Sequence, residues 1–154
     1  MKPPVTENSL IQLIESTPTV SYNVGRLDRL IHQQLSEALS AFGVSLPQFT
    51  MLANLYHRGA IANATLAARS FISPQAANQI VNMMVENGWV TKYNDCNHGR
   101  IVLIELTQSG LETYQRCRQA ADEFEQTMLA GLTPESVIML RATLQRAVNN
   151  LRKR

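Results

Sequence analysis

Apolar residues recur in helical steps along most of this chain, and the places where they stop doing so divide it into elements. From about Thr19 to Phe42 they stand at Val20, Val24, Leu27, Ile31, Leu35, Ala38 and Phe42. That spacing marks one face of a helix, and Gly43 supplies a stop. Ser45-Leu46-Pro47 opens a second helix through about His57, with Phe49, Leu52 and Leu55 on one side and Arg58-Gly59 at its end. A short third helix fits Asn63 to Arg69. Ser73-Pro74 is the sharpest start signal. Ser is a favoured N-cap, and Pro suits the first helical position, where no N–H is needed. The helix it opens runs to about Asn87, carries Ile80, Met83, Met84 and Val85 as its apolar side, and is closed by Gly88. Upstream, Leu10, Ile11, Leu13 and Ile14 make a short apolar arm or helix, interrupted at Thr17-Pro18-Thr19.

After Gly88 the period changes to two. Trp89 to Tyr93 and Ile101 to Leu106 are rich in β-branched and aromatic residues and flank a polar loop, Asn94 to Arg100. Two short strands around such a loop make a β-hairpin. Helical spacing returns at Leu111, Tyr114, Cys117, Ala121, Phe124 and Met128, and Gly131 ends that helix. Thr133-Pro134-Glu135 caps a last helix with Val137, Leu140, Leu144, Val148 and Leu151 on its face. The fold class is mainly α, formally α+β. Three short helices followed by a hairpin form a winged helix-turn-helix, flanked by long helices. We read residues 1–154 as one domain, with a DNA-binding lobe over about 44–107 and dimerisation helices over about 10–42 and 108–151.

In a helix-turn-helix the second helix of the pair enters the major groove, and its N-terminal residues meet base edges. Here that helix begins Ser73, Pro74, Gln75, Ala76, Ala77, Asn78, Gln79. Gln and Asn form bidentate hydrogen bonds with adenine, and Ala packs on a thymine methyl. The Ser73 hydroxyl and the first amides suit a phosphate. The hairpin tip holds Asn97, His98, Gly99 and Arg100, and an Arg there suits the narrow minor groove. Lys92, at the base of the hairpin, is placed for phosphate, and Asp95 is a candidate partner for Arg100.

Composition adds little. Net charge is +2, a weak argument for a nucleic-acid partner. Residues 73–107 hold two Lys/Arg against three Asp/Glu, so the candidate DNA segment is slightly acidic by count. That keeps open an alternative, a helical protein-interaction module that has lost DNA binding. No apolar run approaches the ~20 residues of a membrane helix. Lys2 is followed by Pro3-Pro4 with no signal-type apolar h-region behind it, so a cytoplasmic location is expected. Cys96 and Cys117 do not make a disulfide framework, and the scattered His32, His57 and His98 give no metal-ligand spacing. No nucleophile elbow, phosphate loop or zinc helix is present, so neither enzyme activity nor a cofactor is expected. Cys96, in the hairpin near cations, is a candidate redox switch and gives a second alternative reading.

The flanking apolar faces are too long for the DNA-binding lobe to cover, so they are expected to meet those of a second copy. Such a two-fold dimer presents two recognition helices to a pseudo-palindromic DNA site.

Over about residues 20–150 the chain resembles the MarR family of bacterial regulators. The matching stretches are Val44 to Leu52, the Ser73 helix, and Glu86-Asn87-Gly88-Trp89-Val90. The most specific is His98-Gly99-Arg100, then five residues, then Leu106-Thr107-Gln108-Ser109-Gly110. The resemblance assigns the wing arginine to Arg100, the basic residue at the start of the wing to Lys92, and the recognition-helix contacts to Ser73, Gln75, Ala76, Asn78 and Gln79. His98 stands where the family usually has Asp, and Lys92 where Arg is common. The resemblance also implies a repressor released by a small phenolic or aromatic ligand, bound between dimer region and winged lobe. Tyr22, Arg26, His32, Met51 and His57 are the candidate lining residues.

Overall fold

Thr19 begins the described structure in earnest: its hydroxyl accepts the Tyr22 N–H at 3.2 Å and starts α1, Val20–Ser40. The computed structural model describes residues 18–152. The apolar segment expected at residues 10–14 lies outside them. The stripe of α1 is buried only at its C-terminal end, where Leu39 enters the core. Val20, Tyr22, Val24, Leu27 and Leu30 remain exposed.

Helix α2, Leu46–Arg58, opens with a reciprocal cap. The Ser45 N–H donates to Gln48 Oε1 at 2.8 Å, and the Gln48 N–H donates to Ser45 Oγ at 3.4 Å. This satisfies two otherwise orphaned donors and lets Gln48 lie buried. Met51, Leu52 and Leu55 form the inner face. Next come β1, Ile61–Ala62, and α3, Asn63–Arg69. Helix α4, Pro74–Glu86, is capped by Ser73, whose hydroxyl accepts the Ala76 N–H at 3.1 Å, and it buries Ala77, Val81 and Met84.

Strands β2, Val90–Asn94, and β3, Val102–Leu106, pair antiparallel with Val90 opposite Leu106 and Asn94 opposite Val102. The sheet order is β1-β3-β2, and β1 joins by pairing Ile61 with Ile104. Sequence pattern did not reveal β1, because two residues are too few to show alternation. Val90 and Ile104 carry the inner face of the hairpin into the core.

Helix α5, Gln108–Met128, starts at a tight joint. The Thr107 hydroxyl donates to the Gly88 carbonyl at 2.6 Å and accepts the Gly110 N–H at 3.0 Å. The Thr107 N–H donates to the Trp89 carbonyl at 3.0 Å. The last helix, α6, Pro134–Arg152, buries none of its residues. Helices α2, α3 and α4, the hairpin and the first half of α5 therefore share one core, while α6 and most of α1 extend beyond it. No described helix is long and apolar enough to cross a membrane.

Candidate nucleic-acid interface

The burial of α4 sorts its residues by face. Ala77, Val81 and Met84 point inward. Gln75, Asn78, Gln79 and Asn82 are exposed, and offsets of three, four and seven from Gln75 align them in one outward stripe. The inner side is fixed by packing, so the amide stripe has a fixed direction. Ala76 is half-buried at its edge, and Ser73 is exposed at its N-terminal end. The Ser73 oxygen already accepts the Ala76 N–H, which leaves its hydroxyl proton for an external acceptor. Asn63, at the start of α3, donates from Nδ2 to the Pro74 carbonyl at 3.2 Å and ties the two helices together. Phe71, in the turn between them, has φ 57° and is exposed.

The hairpin tip is held by local bonds. The Asp95 N–H donates to the Ile101 carbonyl at 2.8 Å, and the Asn97 N–H donates to Asp95 Oδ1 at 2.9 Å. His98 Nδ1 stands 3.9 Å from Asp95 Oδ2. The expected Asp95–Arg100 pair is therefore corrected: Asp95 faces Asn97 and His98. The turn that brings the His98 N–H to the Asp95 carbonyl at 3.3 Å puts His98 beside that carboxylate. Arg100, exposed, has no carboxylate partner among the described residues. Asn97, His98 and Arg100 all face solvent. Lys92, on β2, donates from Nζ to Asn82 Oδ1. Asn82 was missed in the sequence, although it continues the stripe of Asn78 and Gln79 by one turn. Partial loss of solvent, and then the charge of Glu105, hold the Tyr93 phenol above its ordinary pKa.

Cys96 is exposed on the wing. Cys117 is buried in the core, and burial raises its thiol pKa.

A second feature lies where α1, α2 and α5 meet. A cavity of about 380 Å³ is walled by Ile31, Leu35, Phe49 and Ala53 and carries His57, Tyr114, Arg118, Asp122 and Glu125 as polar groups. The Tyr114 hydroxyl is 3.4 Å from His57 Nε2 and accepts from Arg118 Nη1 at 3.2 Å. Arg118 also donates to Asp122 Oδ1 at 2.7 Å. That bond, ahead of the one to Tyr114, raises the guanidinium pKa further. Of the five residues expected to line a ligand site, His57 is the one that lines this cavity. Met51 is fully buried in the core. Tyr22 and Arg26 are exposed on α1 with the guanidinium 6.0 Å from the ring, and His32 pairs there with Asp28. Tyr114 and Arg118 went unassigned, although their i, i+4 spacing puts them on one face of α5.

A capped helix with an outward polar stripe, preceded by a short helix and followed by a β-hairpin, is a winged helix-turn-helix. Residues 44–102 match the model of the MarR family. A curated relative, the HTH-type transcriptional repressor Rv2887 of Mycobacterium tuberculosis, is 27% identical over 114 residues, covering 74% of this chain and 82% of the relative. A crystal structure of a mutant MarR from E. coli complexed with operator DNA is 25% identical, covers 81% of this chain and 93% of its own, and superposes with a TM-score of 0.70. NadR in complex with 4-hydroxyphenylacetate, 18% identical, shares the fold with a TM-score of 0.74 over 86% of this chain and 94% of its own. Over its winged helix-turn-helix the chain is therefore similar to the MarR family of transcriptional regulators.

Proposed function

We propose that this chain is a homodimeric repressor that binds a pseudo-palindromic DNA site and leaves it when a small aromatic ligand fills the α1–α2–α5 cavity. The observation that carries the reading is the outward amide stripe on α4, backed by a fully buried inner face. Gln75, Asn78 and Gln79 offer paired donors and acceptors suited to adenine in the major groove. Ala76 supplies a small apolar contact at the edge. Ser73 and Lys92 serve phosphates, and the unpaired Arg100, with Asn97 and His98 beside it, serves the minor groove. Residues 44–107 act as the DNA-binding lobe.

The dimer is supported by what a single copy leaves uncovered. Ile138, Met139, Leu140, Leu144, Val148 and Leu151 of α6 are exposed, as are Val20, Val24, Leu27 and Leu30 of α1. An apolar surface of that extent on a soluble regulator marks an association site, and a two-fold partner covers it with the same residues. Residues 10–42 and 108–151 supply that region.

The ligand reading rests on the cavity. Its volume falls in the range that takes small molecules, and its walls are apolar with a few convergent polar groups. Phe49 and Tyr114 stack with ring centroids 5.9 Å apart, an aromatic surface suited to a flat ligand. The His57–Tyr114–Arg118 group can bind a phenol hydroxyl, while Asp122, paired with Arg118, and Glu125 in the same wall disfavour an anionic ligand. The relative's name, a repressor, supports the sign of regulation.

Selection of bound fragments from a random duplex pool tests the proposal. An inverted repeat with half-sites about one DNA turn apart is expected, and phenolic compounds added afterwards should release it. Recovery of no preferred sequence would argue instead for the protein-interaction reading.

A further inference from the structure

We propose that Asn82 is a positioning residue that holds Lys92 as a preset phosphate clamp between the recognition helix and the wing. This rests on the DNA-binding reading above and goes beyond it in assigning a role to Asn82 and a mechanism to Lys92.

The geometry begins in the sheet. Lys92 pairs with Ile104, and Ile104 is buried in the core. Paired residues in an antiparallel ladder share a face, so Lys92 extends from the inner face of the hairpin, two residues beyond the buried Val90. It lies where that face runs out into solvent. The outer edge of α4 lies across from it, and Lys92 Nζ donates to Asn82 Oδ1. Both residues are exposed, and no carboxylate pairs with Lys92 among the described residues. The charge is thus fixed in direction but not neutralised.

An ammonium has three donors. One is used on Asn82, and two remain for phosphate oxygens. A free lysine stem loses considerable rotamer freedom when it binds. A stem already held by Asn82 loses less, so the pair is preorganised for DNA. The bond also competes with base reading by Asn82. A bidentate contact with adenine needs both the amide oxygen and the amide nitrogen in one orientation, and here the amide is already oriented by the Lys92 ammonium on its oxygen. Gln75, Asn78 and Gln79 have no such internal partner among the described residues, so reading falls to them while Asn82 serves the backbone clamp.

A double-mutant cycle tests this with the duplex selected by the wild-type protein, titrated across several salt concentrations. Lys92→Met should reduce the slope of log affinity against log salt by about 0.9, one phosphate contact. Asn82→Ala should weaken binding about three- to tenfold and leave the selected sequence unchanged, as a phosphate-side effect requires. In the Lys92→Met background, Asn82→Ala should change affinity less than about twofold, because its only route of action is gone. Asn82→Ser serves as a second variant, and melting temperatures should match the wild type because both side chains are exposed. Equal losses from Asn82→Ala in both backgrounds would overturn the proposal, as would no loss in the wild-type background. A changed base preference at one position would overturn it too and make Asn82 a base reader. A wild-type protein that binds no duplex would remove the DNA-binding reading itself, an outcome distinct from all of these.

Discussion

Gly110 lies so close to the carbonyl of Trp89 that a β-carbon at position 110 would overlap the carbonyl oxygen. This explains the Leu106-Thr107-x-x-Gly110 pattern physically. Thr107 binds the Gly88 and Trp89 carbonyls, and the first turn of α5 then rests on Trp89. Gly110→Ala should force the turn away and cost about 1–3 kcal/mol, as overpacking in a tight core does. At this chain length that lowers the melting temperature by roughly 2–4 °C per kcal/mol. Calorimetry showing an unchanged transition would contradict the joint.

The elements this joint connects were legible in the sequence, but the joint itself showed there only as a motif that resembles the family. The Ser73-Pro74 start and the Gly88 stop bound α4 closely, because a cap and a left-handed glycine are local chemistry. What stayed hidden depends on contacts between elements. Strand β1 exists only by pairing with β3. The Lys92–Asn82 bond joins a strand to a helix, and no periodicity announces it. Asp95 turned to His98 because the turn geometry at the tip set its neighbours. The cavity draws its lining from three helices, a convergence that no single periodic stripe reveals, and of the residues expected at a ligand site it includes His57.

The wing makes its own prediction. Arg100 is exposed and engages no carboxylate among the described residues. Arg100→Ala should leave the melting temperature unchanged and weaken DNA binding by about 1–3 kcal/mol, with reduced preference for A·T-rich flanks. Fluorescence anisotropy on A·T-rich and G·C-rich flanking duplexes would measure both effects.

The apolar face of α6 predicts an assembly. Leu144 and Val148 lie one turn apart and are exposed in the single chain. Replacing both with Glu should leave the monomer fold intact, since α6 buries none of its residues there. Sedimentation should show the wild type as a dimer and the double variant as a monomer. A wild-type monomer would remove the basis for a paired half-site.

The cavity predicts a separation of two functions. Tyr114→Phe removes the hydroxyl that joins His57 to Arg118 and keeps the ring that stacks near Phe49. DNA affinity without ligand should stay within about twofold, while the phenol concentration needed for release rises about tenfold, the loss expected for one hydrogen bond. Equal release by variant and wild type would place the effector elsewhere.

The central claim is that the α4 stripe reads DNA, and binding of the selected duplex by wild type and Gln79→Ala, titrated with salt, tests it most directly. The account predicts that wild-type affinity falls at least tenfold from about 50 to 200 mM salt. Gln79→Ala should lose about 1–3 kcal/mol on the selected site, relax the preference at one base pair in each half-site and keep the same salt slope. A wild-type affinity indifferent to salt and sequence, or a Gln79→Ala variant with unchanged base preference, would contradict it.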